Sequence, residues 1–291
     1  MLKFIRGLYL VLNMAIIIAL LAIHFVVKES SHQSSLLYYM LPLPIIIVAV
    51  LVLSVFLSKR YRRYNLILTG LLLVIWLSRS FKINIPEDAQ ENDLEVVLWN
   101  ASRENNFKEA FIENENIPDV FVLVEARRMN IKRLQLDFPE YHFYFSGEEI
   151  SIFSRTPIEN IEVNQNKFRT VIVSFKVKDI RFYAVDGVGS LDVPRAWGLD
   201  FIDAQIEEKE RAVLLGDFNV PFESKFFSAI KSNFNHAFNE KGNGFRETWF
   251  WNMPLLSLDH IWVSKDLQVV ATKKINTFKS DHCMIRTTIR W

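Results

Sequence analysis

From Leu36 to Leu57 the chain carries no charged side chain, and from Leu8 to Val27 only Asn13 and His24 interrupt an equally apolar run. About 20 apolar residues in a helix cross the hydrocarbon core of a bilayer, so each run is long enough to span. A third run, Tyr64 to Leu77, is shorter and spans only if Tyr64, Trp76 and Arg79 reach the interfaces. One such helix could be buried inside a soluble protein, but three runs so close together in sequence argue against that. The expectation is an α-helical transmembrane region over residues 1–80 with about three helices, near 8–27, 36–57 and 64–79. A cleaved signal peptide is the rival for the first run, which follows Lys3 and Arg6. Against it, Ala22-Ile23-His24-Phe25-Val26-Val27 offers no small-x-small cleavage site.

Lys59-Arg60-Tyr61-Arg62-Arg63 is the strongest charge cluster of this half, and the positive-inside rule assigns it to the cytoplasm. Alternation then puts the amino terminus inside and the Glu29–Ser35 loop outside, and the third span carries the chain out again. An integral membrane protein with an extracytoplasmic soluble domain follows. If Tyr64 to Leu77 lies on the inner surface instead, the domain is cytoplasmic. Asn13, His24 and the Pro42/Pro44 pair read as interfacial or packing residues, and no transport function is inferred from them. Residues 81–92, polar and holding Pro86, read as a linker that tethers the domain near the bilayer.

Charge separates the two halves. Residues 1–80 hold eight Lys/Arg and one acid, leaving 26 basic and 32 acidic residues beyond them, a net charge of −6. An acidic domain is a poor general binder of polyanions, which weighs against nucleic acid as partner. Cys283 is the only cysteine, so an intrachain disulfide framework and a thiol metal cluster are both excluded.

Beyond residue 93, strand-like runs near 94–99, 120–124, 142–145, 150–153, 171–177, 181–185, 212–215, 260–264 and 284–290 alternate with helical ones near 105–114, 129–137, 199–210 and 223–233. The pattern demands a sheet-rich α/β domain. Leu214-Leu215-Gly216-Asp217-Phe218-Asn219 is its most informative stretch: an apolar run ends in glycine and then presents a carboxylate and a carboxamide. In an extended chain Asp217 and Asn219 point to one face, where they could hold a small reactive species such as a water. A Gly-Asp turn closed by an Asx hydrogen bond is the alternative. Asn100 after Leu98-Trp99, Glu125 after Leu123-Val124, Asp259 after Leu258, and Asp281-His282 after Lys279-Ser280 likewise set polar groups at the edges of apolar runs. Glu125 could equally be a strand-end acid paired with Arg127 or Arg128, and His260 reads as structural. Thr248-Trp249-Phe250-Trp251-Asn252-Met253-Pro254 reads as core packing, a substrate wall or a membrane-facing lip.

Together with Ile152-Phe153-Ser154-Arg155-Thr156-Pro157-Ile158, these motifs resemble, in order and spacing, the endonuclease/exonuclease/phosphatase superfamily. Its metal-dependent phosphoesterases include pancreatic deoxyribonuclease, abasic-site endonucleases, neutral sphingomyelinases and inositol polyphosphate phosphatases. The resemblance covers residues 93–291 and implies a four-layer α/β sandwich, two packed mixed β-sheets flanked by helices. It implies hydrolysis of a phosphodiester or phosphomonoester with Mg²⁺ or Mn²⁺, hard cations that take carboxylate oxygens. It would make Glu125 the metal ligand, with Asn100 beside it on metal water or phosphate and Asp281 an additional metal or water ligand. Asp217 would deprotonate the attacking water, Asn219 would hold the phosphate or that water, and His282 would contact the scissile phosphate with Asp259 fixing its tautomer. Where the family carries a phosphate-facing histidine or tyrosine, Arg181-Phe182-Tyr183-Ala184-Val185 is followed by Asp186. That acid either binds a second metal ion or is held protonated as a donor. Tethering and acidity favour a lipid headgroup or a small phosphorylated molecule over nucleic acid as substrate. A nuclease of the same fold, and a non-catalytic descendant binding a ligand or partner at the membrane, are the alternatives.

Overall fold

The uncharged run beginning at Leu36 does not form one straight helix, because two prolines interrupt it. In the computed structural model, which describes residues 2–207 and 211–291, α1 (Leu2–Leu21) continues through a π-helical turn over Ala22–Val27, α2 covers His32–Met40, α3 Leu43–Ser54 and α4 Lys59–Ser80. Pro42 caps α3 and Pro44 sits in its first turn, where a missing N–H costs no helical bond. α2 and α3 meet at 67°, so the single span expected over 36–57 is a bent pair. Among the described residues one helix, Phe4–Val27, is by itself long and apolar enough to cross a membrane, and the bent pair adds a second only if counted as one span. α4 forms over the third expected span, but Lys59, Arg60, Arg62 and Arg63 at its start and Arg79 at its end keep it short of that standard.

These helices make up the first of two compact units, Met1–Phe81, and its polarity is turned inward. Asn13 donates to the carbonyl of Leu53 at 3.1 Å, Tyr9 donates to the same oxygen at 2.6 Å, and Asn65 donates to the Asn13 side chain at 3.3 Å. Asn13, Asn65 and Thr69 are buried while Leu12, Val48, Val52, Leu71 and Val74 are exposed. Arg62 reaches back over the end of α3, where Nη2 donates to the Val55 carbonyl at 2.6 Å and satisfies an acceptor that the helix end leaves open.

The second unit, Lys82–Trp291, is built on two six-stranded sheets. Its strands are β1 (Leu94–Asn100), β2 (Val120–Val124), β3 (His142–Phe145), β4 (Ser151–Ser154), β5 (Glu159–Gln165), β6 (Val171–Val177), β7 (Ile180–Asp186), β8 (Ala212–Asp217), β9 (Phe234–His236), β10 (Asp259–Ser264), β11 (Gln268–Ile275) and β12 (Met284–Arg290). One sheet runs β11-β12-β1-β2-β4-β3 and the other β9-β10-β8-β7-β6-β5. Each is mixed: β1/β2 and β7/β8 are parallel and the other pairs antiparallel.

Alternation along the central strands supplies both faces of each sheet with apolar side chains. Leu94, Val96 and Leu98 of β1 meet Val173, Phe182, Val213 and Ile261 of the other sheet in the middle core. Val97 and Trp99 turn outward onto Phe107 and Ala110 of α5 (Phe107–Asn114) and Leu134 of α6 (Ile131–Asp137). On the far side Tyr183, Leu214 and Trp262 pack on Leu199 and Ile202 of α7 (Arg195–Asp203) and Ile230 of α8 (Ser228–Asn233). Helix, sheet, sheet, helix is the expected four-layer α/β sandwich.

Three edge strands, β5, β9 and β11, escape the sequence pattern. ENIEVNQ of β5 is largely polar and partly exposed, QVVATKKI of β11 mixes polar with apolar residues and carries two lysines, and β9 is only three residues long, all features of edges that must not recruit another strand. The helix expected over 199–210 begins earlier, at Arg195 behind Pro194, and ends at Asp203; residues 204–207 are turn or irregular, and the last three expected positions lie outside the described residues. Residues 83–90 have no regular secondary structure but are not loose: Glu87 N donates to the Val270 carbonyl and Asn84 Nδ2 to the Gly242 carbonyl, at 2.9 and 2.8 Å.

Candidate active site

Three strands of one sheet bring an aspartate each to the same rim. Asp217 at the end of β8 is paired in register with Asp186 of parallel β7 on one side and Asp259 of antiparallel β10 on the other. The close approach that aligns them needs glycine before Asp217, since a Cβ on Gly216 would lie 2.0 Å from the Val185 carbonyl oxygen. The other sheet contributes Asn100 at the end of β1 and Glu125 just past β2. Asn100 Nδ2 donates to Asp217 Oδ2 at 2.9 Å and so ties the two sheets together at the rim.

Asn219 reaches the site by a route that strand alternation did not suggest. β8 ends at Asp217, and Asn219 takes a left-handed conformation with φ of 52°, so the two residues do not share a strand face. The reversal instead lets the Asn219 N–H donate to Asp217 Oδ1 at 2.8 Å, which is the Asx turn considered above. Its side-chain amide donates to the Gly187 carbonyl at 2.9 Å and lies 3.4 Å from Asp217 Oδ2. Turn and site are thus one object.

Asp281 and His282, in the loop before β12, point apart. His282 Nδ1 is 2.8 Å from Asp259 Oδ2, and Nε2 is 4.0 Å from Asp217 Oδ2. Asp281 accepts from Ser102 Oγ and, at 2.9 Å, from Trp249 Nε1. Burial alone would depress the His282 imidazole, but the charge and hydrogen bond of Asp259, with Asp217 and Asp281 adding to them, raise its pKa to about 10. Asp217 is pushed up to about 7 by complete burial and by the neighbouring Asp259 carboxylate. Since the 2.8 Å bond stabilises the imidazolium directly, we take His282 as the fixed cation and Asp217 as the group that exchanges its proton near neutrality.

Asp217, Asp259 and His282 also form a group whose ligand atoms lie within 4.8 Å of one another. Asp259 Oδ1 is buried with no hydrogen-bond partner among the described residues. Glu125 is part-buried; desolvation raises its carboxyl, with Arg103 Nη1 opposing at 2.8 Å. Asp186 is raised well above the usual carboxylate range, by burial first and then by the charges of Asp217 and Glu125. Crowded, partly compensated carboxylates such as Glu125 and Asp186 are donors that a hard divalent cation takes. Both oxygens of Asp281 accept hydrogen bonds, one from Ser102 and one from Trp249.

Several residues that shape the site carried no signal in the sequence. Arg195, the first residue of α7, is buried and donates to the carbonyls of Asn219, Ser190 and Gly189 at 3.1, 2.7 and 2.9 Å, fastening the segment after β7 to the turn after β8. Arg103 and Ser102 follow β1 and meet Glu125 and Asp281 only through the fold. His260 Nε2 must donate to the Val220 carbonyl at 3.0 Å, which leaves Nδ1 to accept from His236 Nε2 at 3.1 Å. Burial lowers the His260 pKa to about 4 and His236 well below its usual value, so this pair holds the residue after Asn219 as neutral rings. That is the structural role expected of His260. Trp249 of the aromatic stretch meets Asp281, while Trp251 and Met253 are exposed.

A model of the Endonuclease/Exonuclease/phosphatase family matches residues 97–282. Among solved structures, a protein of that family from Bacteroides thetaiotaomicron superposes with a TM-score of 0.54 at 17% identity, over 69% of this chain and 98% of its own. The mannosyl-6-phosphatase of Bacteroides thetaiotaomicron VPI-5482 gives 0.54 at 16%, over 68% and 100%. An AP endonuclease from Archaeoglobus fulgidus gives 0.53 at 17%, over 67% and 98%. At these identities the likeness is one of fold. No curated protein sequence matches the chain.

Proposed function

This chain belongs to the endonuclease/exonuclease/phosphatase family, and from that premise we propose that it is a membrane-anchored, divalent-metal-dependent phosphoesterase acting on a lipid headgroup or small phosphorylated molecule. The observation that carries the reading is the His282–Asp259 pair at 2.8 Å beside an Asp217 held by Asn100 and the Asn219 N–H. With Nδ1 occupied by Asp259, the remaining N–H of His282, on Nε2, is free to meet a phosphate oxygen. Asp217, ionised, takes a proton from the attacking water as its oxygen bonds to phosphorus and the ester oxygen leaves. Asn100 and Asn219 hold the carboxylate in place by donating to both of its oxygens. Mg²⁺ or Mn²⁺ held by Glu125, with Asn100 and Asp186 at its side, would offset the charge of the phosphate and of the departing oxygen. The engagement of Asp281 by Ser102 and Trp249 supports a positioning role for it, aiming the loop that carries His282.

The acidic domain keeps nucleic acid the less favoured substrate. Asp186, standing where family members carry a phosphate-facing histidine or tyrosine, keeps a non-catalytic ligand-binding descendant as the second reading. The test is a panel of phosphomonoesters and diesters incubated with the full-length protein, with Mg²⁺ and with a chelator. Hydrolysis that needs the metal is expected; no turnover of any ester at millimolar Mg²⁺ or Mn²⁺ would leave only the second reading.

We further propose that α1 to α4 anchor the chain and hold the domain outside the cytoplasm. Support comes from the first unit's inverted polarity: Asn13, Asn65 and Thr69 inside, Leu71 and Val74 of α4 outside. Protease added to cells stripped of any outer envelope should digest residues 82–291. Full protection of that domain contradicts the assignment.

A further inference from the structure

A cleft lined by Glu125 and Asp186, though not by Asp217, Asn219 or His282, adjoins the reacting groups. It has a volume of about 990 Å³, at the upper end of what small-molecule sites use and far more than one phosphate fills. One wall is acidic, with Glu125, Glu149 and Asp186; another is the turn between β5 and β6, which contributes Lys167 and Arg169. This turn is firmly built. Asn166 Oδ1 accepts from the Phe168 and Thr170 N–H groups at 2.9 and 3.0 Å, Arg169 N donates to the Asn166 carbonyl at 3.0 Å, and the Phe168 ring stacks on Trp197 at 4.7 Å. The two cations therefore stand on a fixed support.

Their charges are also uncommitted. Arg103 is spent on Glu125 and Glu149, and Glu148 accepts from Gln165. The Lys167 ammonium lies 4.9 Å over the Phe168 ring, and among the described residues neither Lys167 nor Arg169 has an acidic partner. In a domain with net charge −6, two such cations facing a cleft run against the trend. We infer that this turn is a second anion subsite, so that the substrate is a phosphate ester whose organic part carries a second phosphate. Arg169 grips that group as a fork and Lys167 adds a point charge, while the ester to be cleaved lies against His282 and Asn100. The inference rests on the phosphoesterase reading, and the shared chemistry is a bisphosphate, whether free in water or in a lipid headgroup.

The test compares one phosphate with two, in both settings, using the full-length protein. Glucose 6-phosphate against glucose 1,6-bisphosphate forms the soluble pair, and phosphatidate against phosphatidylglycerophosphate in phosphatidylcholine vesicles the lipid pair. In at least one pair kcat/KM should favour the bisphosphate by tenfold or more, mainly through KM, and that pair identifies the setting. Arg169→Glu should bring the ratio to one or below, and Arg169→Lys should keep part of it. Equal kcat/KM within both pairs, a preference untouched by Arg169→Glu, or faster cleavage of a single-stranded oligonucleotide than of either bisphosphate overturns the inference. Calorimetry separates the two levels of argument. If no ester is turned over, the phosphoesterase reading fails, yet the subsite stands if a bisphosphate binds at least tenfold tighter than its partner and Arg169→Glu abolishes the difference. Equal binding sinks the subsite as well.

Discussion

Asp217→Asn lowers kcat by about a thousandfold, the middle of the range by which a positioned general base accelerates proton transfer, while the protein stays folded. The substitution preserves shape but removes the ionised group that Asn100 and the Asn219 N–H hold in place to take a proton from water. Its effect on stability should run the other way. The folded-state pKa of Asp217 is raised from 3.8 to about 7, so ionisation is penalised in the folded chain above pH 3.8 and the wild type loses stability as the pH climbs towards 7. Asparagine escapes that penalty. One of the two donors then faces an amide NH₂ group, a cost common to both pH values, so in chelated protein the variant's Tm relative to wild type should be higher at pH 8 than at pH 4. A variant that is both inactive and much less stable at pH 8 would mean that Asp217 is structural.

Asp259→Asn has the second large effect, and its signature lies in pH. Asp259 is the main reason that the His282 pKa rises from 6.5 to about 10, against the pull of burial. In wild type, kcat/KM should rise as Asp217 ionises and fall only when His282 loses its proton at high pH. With Asp259 neutral, the imidazole deprotonates at lower pH, so the falling limb moves down by several units, to about its ordinary value of 6.5 or below, and activity at pH 8 drops about thirtyfold to a hundredfold. Stability follows the same group. A raised histidine pKa contributes fully below 6.5 and is lost as the pH passes through about 10, so the variant is most destabilised in acid and approaches wild type in alkali. Breaking a buried pair costs about 3–5 kcal/mol. An unchanged falling limb would show that Asp259 does not govern His282.

What the sequence disclosed of this site is what strand periodicity and chain order can encode. Asp217, Asp259, Asn100 and Glu125 each interrupt an apolar run that the sandwich buries, so their arrival at a sheet edge was legible before any contact was known. The layer order came only with the family resemblance, and its physical reason shows in the structure: Val97 and Trp99 need a cover as apolar as that of Val96 and Leu98. Asn219 was legible as a neighbour of Asp217, and its Asx turn only as the alternative to strand alternation, because a left-handed turn follows local hydrogen bonding. Arg103, Arg195 and Ser102 were not legible at all, since their partners lie on other strands and no spacing records them. Pro42 was visible, yet a run without charges reads as one span until the 67° bend is seen.

The central claim is that water held by Asp217 attacks phosphorus. Hydrolysis of a phosphate ester by the full-length protein in H₂¹⁸O with Mg²⁺, followed by mass analysis of both products, tests it most directly. The account predicts one ¹⁸O in the phosphate-bearing product and none in the released alcohol, with release suppressed by chelation and by Asp217→Asn. Label in the alcohol, or release that survives both the chelator and the substitution, would contradict it.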